Sequence, residues 1–382
     1  MQLKQLVPLS LVLFQSSRAC LHDHILAPRL QDVQESLRKR VVPAHVKTAI
    51  QNVRVFDGYA ISEPQSVIID GEYITDCDES VEKIINGSNR VLIPGLIDAH
   101  AHVQSVEGLE NMTSYGVTTI FNMACQSYEL CDSLKSNPGL ASLFTTMLAA
   151  VGPVGGNDQA KSSDPKFLVD YAFGNGSDYF KIVGAVGGPT QAQQNEMVTI
   201  SSRADILQHM ADDGLLSSNL LKSIKEHDQA ATPTMEIFRR AYTIQPEIIQ
   251  FLRGNNSANS TYENVVENVR YLHDVGVSVL AGTDAVGNSV PGFYFPFGES
   301  LHQELVNLVA AGLTPAEALR AATIVPAMAH RLDDRGVIRP GMRADLILLN
   351  SDPLINISNT RDISRVWAGG IEYTNIAKLT GV

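Results

Sequence analysis

Val91-Leu92-Ile93-Pro94-Gly95-Leu96-Ile97-Asp98-Ala99-His100-Ala101-His102 decides the reading of this chain. An apolar strand breaks at Pro94-Gly95, resumes as Leu-Ile-Asp and then delivers two histidines two positions apart. Residues i and i+2 of a strand point to the same side. His100 and His102 therefore offer two imidazoles to one point in space, and neutral imidazole suits zinc, iron, nickel or copper. Outside a strand, such a pair reads as two histidines of a loop.

The rest of the chain bounds the answer. Its 382 residues, 44% hydrophobic and 18% charged, suffice for one barrel plus a small companion domain. A net charge of −12 without a basic cluster argues against a nucleic-acid partner, because phosphate binding needs concentrated Lys and Arg. No apolar run approaches the roughly 20 residues that span a bilayer, so no membrane partner is expected. A small-molecule ligand is, and a homo-oligomer stays open.

The N-terminus carries two readings. A positive start at Met1 to Lys4, an apolar Leu6 to Phe14 and the small residue ending Ser17-Arg18-Ala19 suit a secretory leader over residues 1–19. Arg18 fits a cleavage site poorly, which keeps a cytoplasmic location open. Sequons at Asn86, Asn111, Asn175, Asn255, Asn259 and Asn356 lean towards secretion and a glycoprotein. The four cysteines, Cys20, Cys77, Cys125 and Cys131, form no zinc knuckle. Cys125 and Cys131 could bridge in an oxidising compartment, but buried free thiols are the expected state.

Residues 1–47 read as a leader or arm. From Thr48 short strands alternate with turns: Ala49 to Phe56, the Asp57-Gly58 turn, Ser66 to Ile69, then Asp70-Gly71. At the far end, Gly336 to Leu349 reads as a turn and a buried strand, and Arg361 to Tyr373 supplies more strand. Residues 48–93 and 337–376 are each too short in strand to bury a core alone, so one composite β-sandwich is expected. Between them, over residues 94–336, apolar strands alternate with helices, the pattern of a parallel β/α barrel. Val117 to Asn122, Tyr179 to Val183 and Val277 to Ala281 are strands of this kind. Thr314-Pro315-Ala316-Glu317 opens a helix with a capping box.

Sites in such folds form where strands end. Besides His100 and His102, three chemistry-bearing residues sit there: Lys181, His209 and Asp284. Read alone, Asp284 would be a helix cap, His209 either a core histidine or a ligand, and Lys181 an edge or surface residue, while His227 falls within a charged helix. Asp284, however, closes Ala281-Gly282-Thr283-Asp284 after an apolar strand, and a carboxylate there can bind a metal and accept a proton at neutral pH.

Together these phrases resemble the amidohydrolase superfamily, in particular its imidazolonepropionase-like and prolidase/ochratoxinase-type group. The resemblance rests on Pro94 to His102, on Ala281 to Asp284 and on the return segment Gly341-Met342-Arg343-Ala344-Asp345-Leu346. It implies a TIM-like (β/α) barrel with a composite β-sandwich, and metal-dependent hydrolysis of an amide C–N bond in a small molecule. It also implies zinc or another divalent metal, one or two ions, held by His100, His102, Lys181, His209 and Asp284. Lys181 would serve as a carbamate bridging two metals, Asp284 as the catalytic proton shuttle, and the glycines from Gly184 to Gly188 as an active-site loop. The aromatic stretch Phe293 to Phe297 suggests an apolar or aromatic substrate.

One family feature is missing: a histidine closing the fifth strand. His209 follows Lys181 by 28 positions, and a βαβ unit takes about 30 residues, so only one strand-to-strand step fits. The expectation is an incomplete or distorted barrel of seven strands, or one breached at the fifth position, holding at most one metal tightly unless a residue such as His302 fills the vacancy. A catalytically impaired relative with a binding or scaffold role is the alternative.

Overall fold

The computed structural model describes residues 28–125, 127–146, 149–150, 164–182, 191–200, 206–246, 259–290 and 293–376. The leader expected over residues 1–19, the Gly184 to Gly188 loop and the sequon at Asn255 lie outside these residues.

Within the arm, α1 (Leu30–Lys39) forms a helix whose Val33 is buried. Five strands follow: β1 (Thr48–Val55), β2 (Gln65–Asp70), β3 (Tyr73–Thr75), β4 (Lys83–Asn86) and β5 (Val91–Pro94). The central segment runs β6 (Leu96–Ala101), α2 (Val106–Ser114), β7 (Val117–Asn122), α3 (Tyr128–Leu134), β8 (Ser142–Thr145) and β9 (Ala149–Ala150). It continues through α4 (Pro165–Gly174), β10 (Lys181–Ile182), α5 (Gln191–Ile200), β11 (Ile206–Gln208), α6 (Ser218–Glu226), β12 (Ala230–Thr232) and α7 (Met235–Arg239). A hairpin of β13 (Gly287–Val290) and β14 (Phe293–Phe295) precedes further helices, and β15 (Leu346–Leu349), β16 (Ile363–Ala368) and β17 (Ile371–Tyr373) close the described chain.

The two chain ends share one sheet, in the order β17-β16-β15-β5-β1-β2-β3, with β4 also paired to β1. Its junction is the antiparallel pair β15 and β5, in which Leu346 faces Pro94 and Leu349 faces Val91. β15 is apolar at every position because both its faces are covered. Leu346 and Leu348 pack with Ile50, Ile69, Leu92 and Trp367, whereas Ile347 and Leu349 join the large core under the central segment. Each such fully buried Leu or Ile contributes roughly 1.5–3 kcal/mol, so this junction seats the start of β6 firmly.

The central strands run parallel in three ladders, β6-β7-β8, β9-β10 and β11-β12. Parallel bridges from Ala231 to Val279 and from Ala101 to Ala285 set residues 279–285 between β12 and β6. The strand expected over Val277 to Ala281 is there as the bridge at Val279, with Ser278 O and Leu280 N–H bonded to Ala231 and Ala281 O accepting from Ala99. A single helix, α5, separates β10 from β11, and no ladder joins these two strands among the described residues. The capping box at Thr314 and Glu317 forms as the sequence predicts, a feature worth on the order of 1 kcal/mol.

Three expectations need correction. Cys125 and Cys131 are joined as a disulfide, with Cα atoms 6.1 Å apart, rather than free. The start of α3 between them turns Cys131 back towards the loop after β7, a direction that spacing alone cannot give. His227 is not within a helix but caps the C-terminus of α6, exposed. Phe293, Phe295 and Phe297 are buried members of the large core rather than an open substrate surface.

Candidate metal centre

Every residue of β6 is buried, and the two-residue period sends Asp98, His100 and His102 to one side. Segment 279–285 is drawn against them. Ala99 N–H donates to Ala281 O at 2.9 Å, Asp284 N–H to His100 O at 2.6 Å, and His102 N–H to Ala285 O at 2.9 Å. This approach needs Gly282: a Cβ there would stand 2.8 Å from His100 N and 2.5 Å from Thr232 Cγ2. Asp98 clamps the pair. Its Oδ1 accepts from the backbone N–H of His100 and of Thr283, both at 3.1 Å, and its Oδ2 accepts from the Thr283 hydroxyl at 2.7 Å. Burial pushes the Asp98 carboxyl up to about 7 against the pull of these donors.

Across the site, His209 follows β11 directly. Its N–H donates to Thr232 O at 2.9 Å, and its Nδ1 lies 2.8 Å from Thr234 Oγ1. His209, Thr234 and Asp284 all hold left-handed backbone, at φ 66°, 51° and 63°. Such conformations cost a non-glycine residue on the order of 1 kcal/mol and are kept where the surroundings enforce them. Here they turn three side chains inward at strand ends.

The side chains converge. Asp284 Oδ1 lies 2.9 Å from His102 Nε2 and 3.3 Å from His100 Nε2. The His100 and His209 rings are 4.5 Å apart, those of His100 and His102 5.5 Å. One ligand atom each from His100, His209 and Asp284 falls within 4.8 Å of the others, all buried. Ligands about 2.0–2.2 Å from a shared zinc have this spacing. Asp284 Oδ1 thus faces two imidazole Nε2 atoms within 3.3 Å in a site sealed from solvent, an arrangement a shared cation would satisfy.

The electrostatics agree. Burial works against ionisation of Asp284, yet His209, His100 and His102 hold its carboxyl well below the usual range. Burial, aided by His209 and Lys181, lowers His100 to about 3, keeping the ring neutral. Lys181 is 7% exposed and its Nζ has no hydrogen-bond partner. Its strand hangs on Ala149 and on the Thr146 hydroxyl, which accepts from Lys181 N–H at 3.2 Å.

Of the five residues expected from sequence, His100, His209 and Asp284 form the tight cluster, His102 joins through Asp284, and Lys181 reaches it through its field. His302 does not join the cluster, because its ring is held by Thr360 Oγ1 and Tyr115 O, each at 2.9 Å. Sequence reasoning assigned nothing to Asp98, Gln208, Thr234 or Gly282. Asp98 was legible by the same two-residue period as the histidines.

Comparison with known proteins agrees with this architecture. Residues 91–372 match the amidohydrolase family. Adenine deaminase 2 of Shouchella clausii is 24% identical over 351 residues, 81% of this chain and 56% of the relative. Imidazolonepropionase of Deinococcus deserti is 38% identical over 104 residues, 26% of this chain and 25% of that protein. The chain thus spans about half the length of the adenine deaminase it matches. A solved Xaa-Pro dipeptidase with bound methionine superposes with a TM-score of 0.70 at 20% identity, covering 86% of this chain and 100% of the other. With the family match extending over most of its length, and with the fold shared, this chain belongs to the amidohydrolase family.

Proposed function

We propose that this chain hydrolyses a C–N bond, an amide foremost, in a small molecule, and that it does so with one divalent ion, zinc by its donor set. The observation that carries the reading is the buried convergence of His100, His209 and Asp284 on one point, with His102 Nε2 2.9 Å from the same carboxylate oxygen. The names of its relatives, adenine deaminase, imidazolonepropionase and Xaa-Pro dipeptidase, denote C–N cleavage in small molecules.

His100, His102, His209 and Asp284 would hold the ion. When bound, it supplies Lewis acidity and a water acidified to near neutrality. Asp284, kept ionised by its imidazole neighbours, would be the residue that takes up a proton at its carboxylate and gives it back to the leaving nitrogen. Asp98 and Gly282 keep strand β6 and segment 279–285 in the register that this transfer requires. Lys181 stays an uncarbamylated amine, since a bridging carbamate needs two metals. Among the described residues α5 alone stands between β10 and β11, which supports loss of the fifth β/α unit and so of the second metal's terminal histidine. The Cys125–Cys131 disulfide supports passage through an oxidising compartment.

The test is metal analysis joined to an assay on N-acyl amino acids and anilides. We expect about one ion per chain, with hydrolysis that stops on chelation and returns with zinc. Protein that takes up no divalent ion overturns the reading, and so does hydrolysis that persists after complete chelation.

A further inference from the structure

Gln208 ends β11, where it pairs with Thr232 across to β12. Its Oε1 lies 2.8 Å from Nδ1 of His100, a contact between residues 108 positions apart. An amide oxygen only accepts, so Nδ1 must carry the ring's proton. The neutral ring then presents a lone pair at Nε2. That atom faces Asp284 Oδ1 at 3.3 Å.

We infer that Gln208 is a positioning residue: it locks His100 in the Nδ1–H tautomer and thereby makes Nε2 the atom that binds a cation. The role deepens the metal reading above and rests on it. Remove the amide, and Nδ1 loses its acceptor. The proton can then move to Nε2 and donate to Asp284, which closes the facing pair with a hydrogen bond and takes both atoms away from a metal. Orienting partners of this kind typically change metal affinity 10–100-fold.

The test uses the full chain with ¹⁵N-labelled histidine, metal-free and then titrated with zinc. Long-range ¹H–¹⁵N spectra report the His100 tautomer without any metal. We expect Nδ1–H in the unaltered chain and in Gln208→Glu, which keeps an acceptor oxygen. Gln208→Met, similar in length but without an acceptor, should shift the ring towards Nε2–H and weaken zinc binding by about 10–100-fold. Gln208→Glu should restore that affinity, which a loss of packing alone would not predict. An Nε2–H ring in the unaltered chain overturns the inference, as does a Gln208→Met chain with unchanged tautomer and affinity. A chain that takes up no zinc yet shows the Gln208-dependent tautomer supports the positioning role and overturns only the metal reading.

Discussion

His102 Nε2 lies 2.9 Å from Asp284 Oδ1, although 182 positions (284 − 102) separate the two residues. Both are essentially sealed from solvent, with side chains 0% and 2% exposed. A carboxylate in such surroundings stays ionised only if positive or hydrogen-bonding partners face it. The imidazoles do so here, and their loss or its own would unbalance the whole centre.

Asp284→Asn keeps the shape and tolerates the left-handed backbone, but removes the charge and the proton acceptor. We expect kcat/KM to fall by roughly 10²–10⁴-fold, with the metal-free protein losing the stabilisation that the imidazoles give the carboxylate. Undiminished turnover in this variant would remove Asp284 from the chemistry.

Gly282→Ala places a methyl 2.5 Å from Thr232 Cγ2 and 2.8 Å from His100 N. The neighbour at His100 is backbone and cannot swing aside. Overpacking of this kind costs about 1–3 kcal/mol, so denaturant unfolding should shift by that amount and zinc affinity should fall with it. A variant as stable as the parent would show that segment 279–285 can retreat from β6.

His302 links pH to stability away from the centre. Burial lowers it from 6.5 to about 3 in the folded chain. Between these values the unfolded chain binds the proton and the folded chain does not, so stability rises with pH across that window and is lost as pH falls through it. Removing the histidine with His302→Gln should weaken the protein at neutral pH by about 1–3 kcal/mol, since Tyr115 O and Thr360 lose a partner. The same variant should show a shallower acid loss in chemical unfolding at pH 7, 5 and 4. Equal slopes in variant and parent would contradict the assignment.

Thiol labelling without reductant should modify exposed Cys77 and leave Cys125 and Cys131 untouched until the chain is unfolded and reduced. Peptide mapping of the oxidised chain should recover those two cysteines linked. Separate labelled peptides from the folded, unreduced protein would return them to the buried free thiols expected from sequence.

Local order was legible because it repeats at short range. The two-residue period of a strand places His100 beside His102, and the same period places Asp98. The β7 strand at Val117–Asn122 and the capping box of Thr314 with Glu317 are likewise written in neighbouring residues. Phrases such as Ala281 to Asp284 pointed to the site, but not to its geometry.

What the tertiary structure alone decided are contacts whose partners lie far apart in the chain. Gln208 meets His100 because β11 and segment 279–285 converge beside β6, and no pattern near either residue encodes that meeting. His302 could have supplied a ligand by composition, yet its helix turns it towards Tyr115 and Thr360. The inward turn of His209 and Asp284 depends on left-handed backbone that the residues themselves disfavour. The sequence by itself determines which residues can bind a metal and which strands can carry them, because alternation and propensity act over a few residues. Which of those residues meet is settled by packing, because closing parallel strands around a common core relates positions a hundred or more apart.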